Sequence, residues 1–392
     1  MTPELIQKKA TALDGELRNI RHHLHANPEL SFQEYNTSKY VQGYLQKLDI
    51  SFTTIGATGV VALIKGNNPY SRVIALRADM DALPIQEAND IACRSLNDGI
   101  MHACGHDVHT TCLLGAAKIL NDIRDQWQGT IKLIFQPGEE RNPGGASILI
   151  KEGVLENPKP DSIIALHVNP LLQIGKFSFR KGQAMASADE IFITIKTKGG
   201  HAAAPHLTAD AILIASHIIV SLQQVISRNN NPLSPSVLSI CSIQGGHTTN
   251  VLPAEVKLMG TFRAVNEQWR YEAHALIEQI VVGIGRAMGA ADVSVKIDIG
   301  YPSVYNDSAL TERANSLAQN YIGDDQVEET EMRMGAEDFG FYTQQVPGCF
   351  FRLGIRNENK GIIHNVHTPN FDIDEDALQL GAGMMAWLGA KL

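Results

Sequence analysis

The chain has 392 residues and a formal net charge of −9, with 33 Lys and Arg against 42 Asp and Glu. That balance argues against nucleic acid or an anionic membrane as a partner, but leaves room for a locally basic pocket that takes a small anion. The length suits two domains, and five cysteines at irregular spacings do not make a disulfide framework and point to a reducing, cytoplasmic setting. No basic region followed by an apolar stretch opens the chain, so no secretory leader is expected. The longest apolar run, at 211–220, is interrupted by Ser216 and His217 and reads as too short to cross a bilayer.

Taken in order, Thr2-Pro3-Glu4 reads as a capped helix start. That helix is expected to run to about His25, with Asn27-Pro28 stopping it. His22, His23 and His25 lie on it and are read as structural. A second helix follows at 34–48. Apolar runs at 59–64, 72–78, 130–135 and 161–166 are bounded by turn-forming residues and read as buried strands.

Candidate chemistry gathers just past these strands, where open α/β sheets place functional groups. Asp79 and Asp81 follow the second run. Each reads equally as a turn residue or a functional carboxylate, with Asp81 the better candidate to support a ligand from behind. Glu139 and Glu140 follow the third run on a turn opened by Pro137-Gly138. There they can diverge into one cavity, one toward a metal and one toward a proton. His167 ends the fourth run and is read as a ligand.

Between the second and third runs lies Met101-His102-Ala103-Cys104-Gly105-His106-Asp107-Val108-His109, with three histidines, a cysteine and a carboxylate in nine residues. Imidazole and thiolate both bind borderline-soft divalent cations. Cys104 and His106, two apart, would point the same way in extended backbone, and Gly105 lets the chain turn tightly between them. The helix expected at 110–120 would turn its positive end toward Cys104 and favour the thiolate.

Near Met185 the texture changes. Strands at 189–198, 236–244, 254–264 and 291–299, with helices at 208–228 and 267–288, give the order β-α-β-β-α-β of a ferredoxin-like unit. It is complete in itself, so residues 185–299 read as a domain inserted into another made of 1–184 and 300–392. Helices are expected at 308–321, 336–344 and 375–388. His364 and His367 lie in a stretch ended by Pro369, and one of them is a candidate ligand brought from far along the chain. The fold expected is α/β with a central mixed sheet plus an inserted α+β domain.

The run His102-Ala103-Cys104-Gly105-His106-Asp107-Val108-His109 resembles the signature of the metal-dependent amidohydrolases. That family includes hippurate hydrolases, N-acyl-L-amino-acid deacylases and auxin–amino acid conjugate hydrolases, within a clan of dinuclear aminoacylases and carboxypeptidases. Co-linear matches cover essentially the whole chain. They include Arg77-Ala78-Asp79-Met80-Asp81, Gln136-Pro137-Gly138-Glu139-Glu140, Gly200-His201-Ala202, Asn250-Val251, Gly260-Thr261-Phe262-Arg263, Gly335-Ala336-Glu337-Asp338-Phe339 and His367-Thr368-Pro369.

The resemblance implies a metallopeptidase-like catalytic domain with an inserted lid and dimerisation domain. It implies two divalent ions, Zn or Mn with Co or Ni as alternatives. Cys104, His106, Glu140, His167 and His367 would hold them, with Cys104 as the bridge. Glu139 would be the general base, His201 an oxyanion donor, and Asn250 and Arg263 substrate contacts. Asp79 stands where carboxypeptidase relatives carry a metal-binding His, a departure shared with this subfamily. The expected reaction is hydrolysis of N-acyl (acetyl- or benzoyl-type) L-amino acids by a cytoplasmic homodimer. Alternatives are a dipeptidase or carboxypeptidase, a deacetylase of N-acetyl-diaminopimelate, and a non-catalytic metal-binding relative.

Overall fold

A computed structural model describes residues 1–392, which pack as two compact units. Met1–Ala184, Tyr305–Glu331 and Asp338–Leu392 form the first; Met185–Val304 and Met332–Glu337 form the second. The chain thus re-enters the first unit at 305 rather than 300. The short return to the second unit has a local cause: Met185 bridges Arg333, and the Ala186 N–H donates to the carbonyls of Arg333 and Gly335.

In the first unit the expected opening helix is two, α1 (Pro3–Ala12) and α2 (Asp14–Ala26), and Thr2 makes no side-chain cap. The break falls at Leu13, whose N–H closes a tight turn onto Ala10. Helix α3 (Tyr35–Lys47) precedes the strands β1 (Phe52–Ile55), β2 (Gly59–Lys65) and β3 (Val73–Asp79). Helix α4 (His106–Asp122), β4 (Thr130–Gln136), α5 (Gly145–Lys151), β5 (Ser162–Gln173) and β6 (Phe177–Phe179) follow. The eight-stranded sheet runs β1-β2-β4-β3-β5, then Gly348–Arg356, β6 and Val327–Glu329.

Its centre is parallel and its β1-β2-β4 margin antiparallel, which makes a mixed sheet. Every residue of β3 and β4 is buried. Cover on both faces suits their largely apolar residues, and the buried Arg77, Asp79, Lys132 and Gln136 among them are each hydrogen-bonded. Helix α4 is buried almost all round and packs against Asp376–Lys391, so it is a core helix rather than a surface one.

Three expectations are corrected here. Strand β5 continues to Gln173, so His167 sits in mid-strand instead of at a strand end. The strand Gly348–Arg356 pairs in parallel with β5 and was not anticipated. The helix expected at 336–344 shortens to Gly340–Thr343, because residues up to Glu337 pack with the second unit.

The second unit carries an antiparallel sheet of Asp189–Lys196, Ser236–Gln244, Glu255–Ala264 and Asp292–Ile299 in the order second, third, first, fourth. Ile191, Ile193 and Ile195 alternate inward and meet Ile214, Ile218 and Leu222 of the helix Ala211–Gln224 and Ile277 and Val281 of Glu267–Ala287. The apolar run at 211 is longer than expected: continued by a π turn, it forms a 19-residue helix, Ala211–Asn229, long and apolar enough to cross a membrane by length and composition. Its inward face is committed to the sheet.

Candidate metal centre

The ends of β3 and β4 lie side by side, with Asp79 opposite Gln136. Asp81 and the Glu139-Glu140 turn therefore leave the sheet next to one another. Gly105 is in the left-handed region at φ +83° and His106 is the first residue of α4. Cys104 and His106 thus converge through the tight turn expected of Gly105.

Among the sets of three side chains whose ligand atoms lie within 4.8 Å of one another are Cys104, His106 and His167; Cys104, Glu140 and His367; and Asp79, His106 and His109. Cys104 is common to the first two. Cys104 Sγ lies 3.6 Å from His167 Nε2 and 3.3 Å from His367 Nε2, which is 3.2 Å from Glu140 Oε1. Glu139 joins His106 and Glu140 in another set, its Oε2 3.9 Å from His106 Nε2.

The imidazoles are oriented from behind. His106 Nδ1 faces Asp81 Oδ1 at 3.1 Å, and His167 Nδ1 faces the Val168 carbonyl at 2.8 Å. Each arrangement places the proton on Nδ1 and turns the Nε2 lone pair toward the cluster, the usual support for a metal-bound histidine. His106 Nε2 is buried and makes no hydrogen bond. A buried acceptor left so is costly unless a cation completes it, and a set of S, N and O donors suits a borderline divalent ion. The residues present therefore fit two such ions.

Burial and Glu140 push the Cys104 thiol up. His106 is raised despite its burial, by Asp79 and Cys104, and Cys104 and Glu140 push His367 up to about 10. Cation binding must displace these protons. Affinity is therefore expected to rise with pH across the neutral range, since His367 is the protonated competitor below about 10. Titration of metal-free protein with Zn²⁺ in two buffers of different ionisation enthalpy should show net proton release. Release of no proton would contradict this charge state.

Several motif residues serve the frame. His109 Nδ1 donates to Asp79 Oδ1 at 2.6 Å while its Nε2 accepts the Val168 N–H at 2.9 Å, so neither nitrogen is free for a ligand role. Asp79 is engaged by His109 and by Arg77, whose Nη1 lies 2.7 Å away. Asp81 accepts Ser31 Oγ and the Glu140 N–H. His25 pairs with Asp107 and Glu87 inside the fold, as its structural reading expected. All five cysteines are free.

In the second unit, His201 lies on the short strand Gly200–His201, opposite Val251. Its Nδ1 accepts the Ala203 N–H at 3.0 Å, which leaves Nε2 to carry the proton and point a donor outward. Asn250 adjoins the same ladder, its carbonyl holding the Ala202 N–H. Arg263 lies on Glu255–Ala264, its Nε 3.1 Å from Thr261 Oγ1. Two residues with direct parts in the first unit's site were not singled out from the sequence: Glu34, which holds the Gly138 N–H, and Asp338, which anchors Arg77 and Gln136.

A sequence profile of the peptidase family M20/M25/M40 matches residues 75–388. An N-acyl-L-amino acid amidohydrolase of Geobacillus stearothermophilus is 44% identical over 78% of this chain and 82% of its own. Thermostable carboxypeptidase 2 of Saccharolobus solfataricus is 39% identical over 99% and 98%. Among solved structures, a dinuclear metal-binding M20 peptidase of Bacillus subtilis superposes with a TM-score of 0.84 at 34% identity, covering 97% of this chain and 98% of that one.

Proposed function

The chain belongs to peptidase family M20/M25/M40 and is a metal-dependent amide hydrolase, and from that premise we propose that it cleaves N-acyl L-amino acids to a carboxylate and a free amino acid. The observation that carries the chemistry is the pair of three-residue ligand sets sharing Cys104, with Glu139 beside His106. The substrate class draws on the 44% identity with the Geobacillus amidohydrolase.

Cys104, His106, Glu140, His167 and His367 would hold two ions, Zn or Mn, with Co or Ni as alternatives. Divalent ions at such a site acidify water and polarise the acyl carbonyl. Glu139 takes the proton of the attacking water and delivers it to the leaving nitrogen. His201 is the donor to the tetrahedral oxyanion, a role whose loss typically costs ~3–4 kcal/mol of barrier. Asn250 and Arg263 are assigned to substrate contact. A homodimer through the second unit is part of this reading, supported by the exposed Ile212, Leu213 and Val220 on Ala211–Gln224. A cytoplasmic setting accords with five free thiols.

The test is amino-acid release from N-acetyl, N-benzoyl and longer N-acyl amino acids and from dipeptides. Metal-stripped enzyme is assayed alone and with Zn²⁺, Mn²⁺ or Co²⁺. Metal-dependent release that is faster from acyl amino acids is expected. Turnover confined to dipeptides would replace this reading with the carboxypeptidase one, for which the Saccharolobus relative speaks. Bound metal with no turnover of any substrate would overturn both.

A further inference from the structure

We propose that Glu34 is a positioning residue for Glu139, acting through the backbone of the turn that carries it. Glu34 lies just before α3 and is fully buried. Its Oε1 accepts the N–H of Gly138 at 2.8 Å and that of Phe32 at 2.8 Å, and its Oε2 accepts the Thr58 hydroxyl at 2.8 Å. On the other side of Glu139, Asp81 Oδ2 accepts the Glu140 N–H at 2.9 Å and the Ser31 hydroxyl at 2.6 Å. The N–H before Glu139 and the N–H after it are therefore each held by a buried carboxylate, and both carboxylates are tied to the segment 31–34.

The shape of this segment is specific. Phe32 and Gly138 both have positive φ, +67° and +58°, and a Cβ on Gly138 would lie 2.2 Å from the Phe32 ring. Phe32 closes the turn sterically while Glu34 fixes its hydrogen bonding. Bonds from backbone N–H groups to a buried carboxylate are among the stronger ones, and an N–H stripped of its acceptor there is costly. Without Glu34 the Gly138 N–H loses its acceptor, and the Glu139 carboxylate loses its fixed direction. Catalysis is steeply sensitive to such displacement, with ~1 Å worth ~10²-fold.

The inference rests on Glu139 being the base. Glu34→Ala is expected to lower kcat ~10²-fold, with KM and bound metal per chain little changed. Glu34→Gln should recover most of that loss, since an amide oxygen still accepts both N–H groups. In a Glu139→Gln background, Glu34→Ala should cost nothing further, because residues that act as a unit are not additive. Wild-type kcat in folded Glu34→Ala, an independent loss in the Glu139→Gln background, or a loss accounted for by missing metal would each overturn it. If Glu34→Ala does not fold, Glu34→Asp, whose shorter arm withdraws from Gly138, takes its place under the same criteria. Retained turnover in Glu139→Gln alone would instead remove the base assignment, so the two failures are distinguishable.

Discussion

Glu139→Gln is expected to lower turnover by roughly 10³-fold and to leave the metal content of the protein unchanged. General acid–base groups contribute about 10²–10⁴-fold, and here one residue is assigned both the proton abstraction and its return. Glu139 belongs to neither of the two ligand sets that share Cys104. The amide keeps the volume of the carboxylate in a position that is only 6% exposed, so the fold has little to rearrange. The check pairs kcat at saturating metal with ions bound per chain by elemental analysis. Full turnover would remove Glu139 from the role of base. Lost metal would make it a ligand.

Arg77→Met is expected to destabilise the first unit by ~3–5 kcal/mol, the usual cost of removing one partner from a buried ionic network. The Arg77 side chain is entirely buried. Its Nε donates to Gln136 Oε1 at 2.9 Å, Nη1 to Asp79 at 2.7 Å and Nη2 to Asp338 at 2.8 Å. The last of these carboxylates also accepts Gln136 Nε2 and the Ala146 N–H. Without the guanidinium, two buried carboxylates lose the cation they share. The effect does not stay local, because Asp79 holds His109, and His109 holds the Val168 N–H beside His167. Denaturant unfolding with unchanged slope would measure it. Arg77→Met combined with Asp338→Asn should be less destabilised than Arg77→Met alone, since it removes one of the two orphaned charges. A single-variant effect below about 1 kcal/mol would show that the network is redundant.

What could be read from the chain followed the strength of local signals. Mainly apolar runs bounded by turn-forming residues announced β3, β4 and the start of β5, and the β-α-β-β-α-β order after Met185 announced the inserted unit. The density of ligand-type residues around Cys104 announced one wall of the site. Gly348–Arg356 is less legible because Arg352 and Gly354 interrupt its apolar run. The continuation of β5 past His167 was hidden by Asn169 and Pro170, which look like a turn. Glu34 and Asp338 were illegible for a different reason. Glu34 is a lone acid and Asp338 sits beside Glu337 in a matched run, but neither has a spacing that points to its partners, which lie 104 and 192 or more positions away. The tautomers of His106 and His167 likewise depend on a carboxylate 25 residues distant and on a neighbouring carbonyl, which only the folded backbone brings into line.

The mid-strand placement of His167 has a kinetic consequence. Its backbone is locked beside Arg352 in the parallel ladder, in the interior of the sheet. His367 instead sits on a segment outside any helix or strand, at φ +61° and with its side chain 52% exposed. Segments of this kind breathe open far more often than central strands. The two ligand sets share a sulfur but would differ in lifetime: an ion held by the set ending in His367 is expected to exchange faster than one held by the set ending in His167. A chelator added to the loaded enzyme should therefore draw out metal in two phases, with amide hydrogen exchange around residue 367 keeping pace with the first and that of β5 with neither.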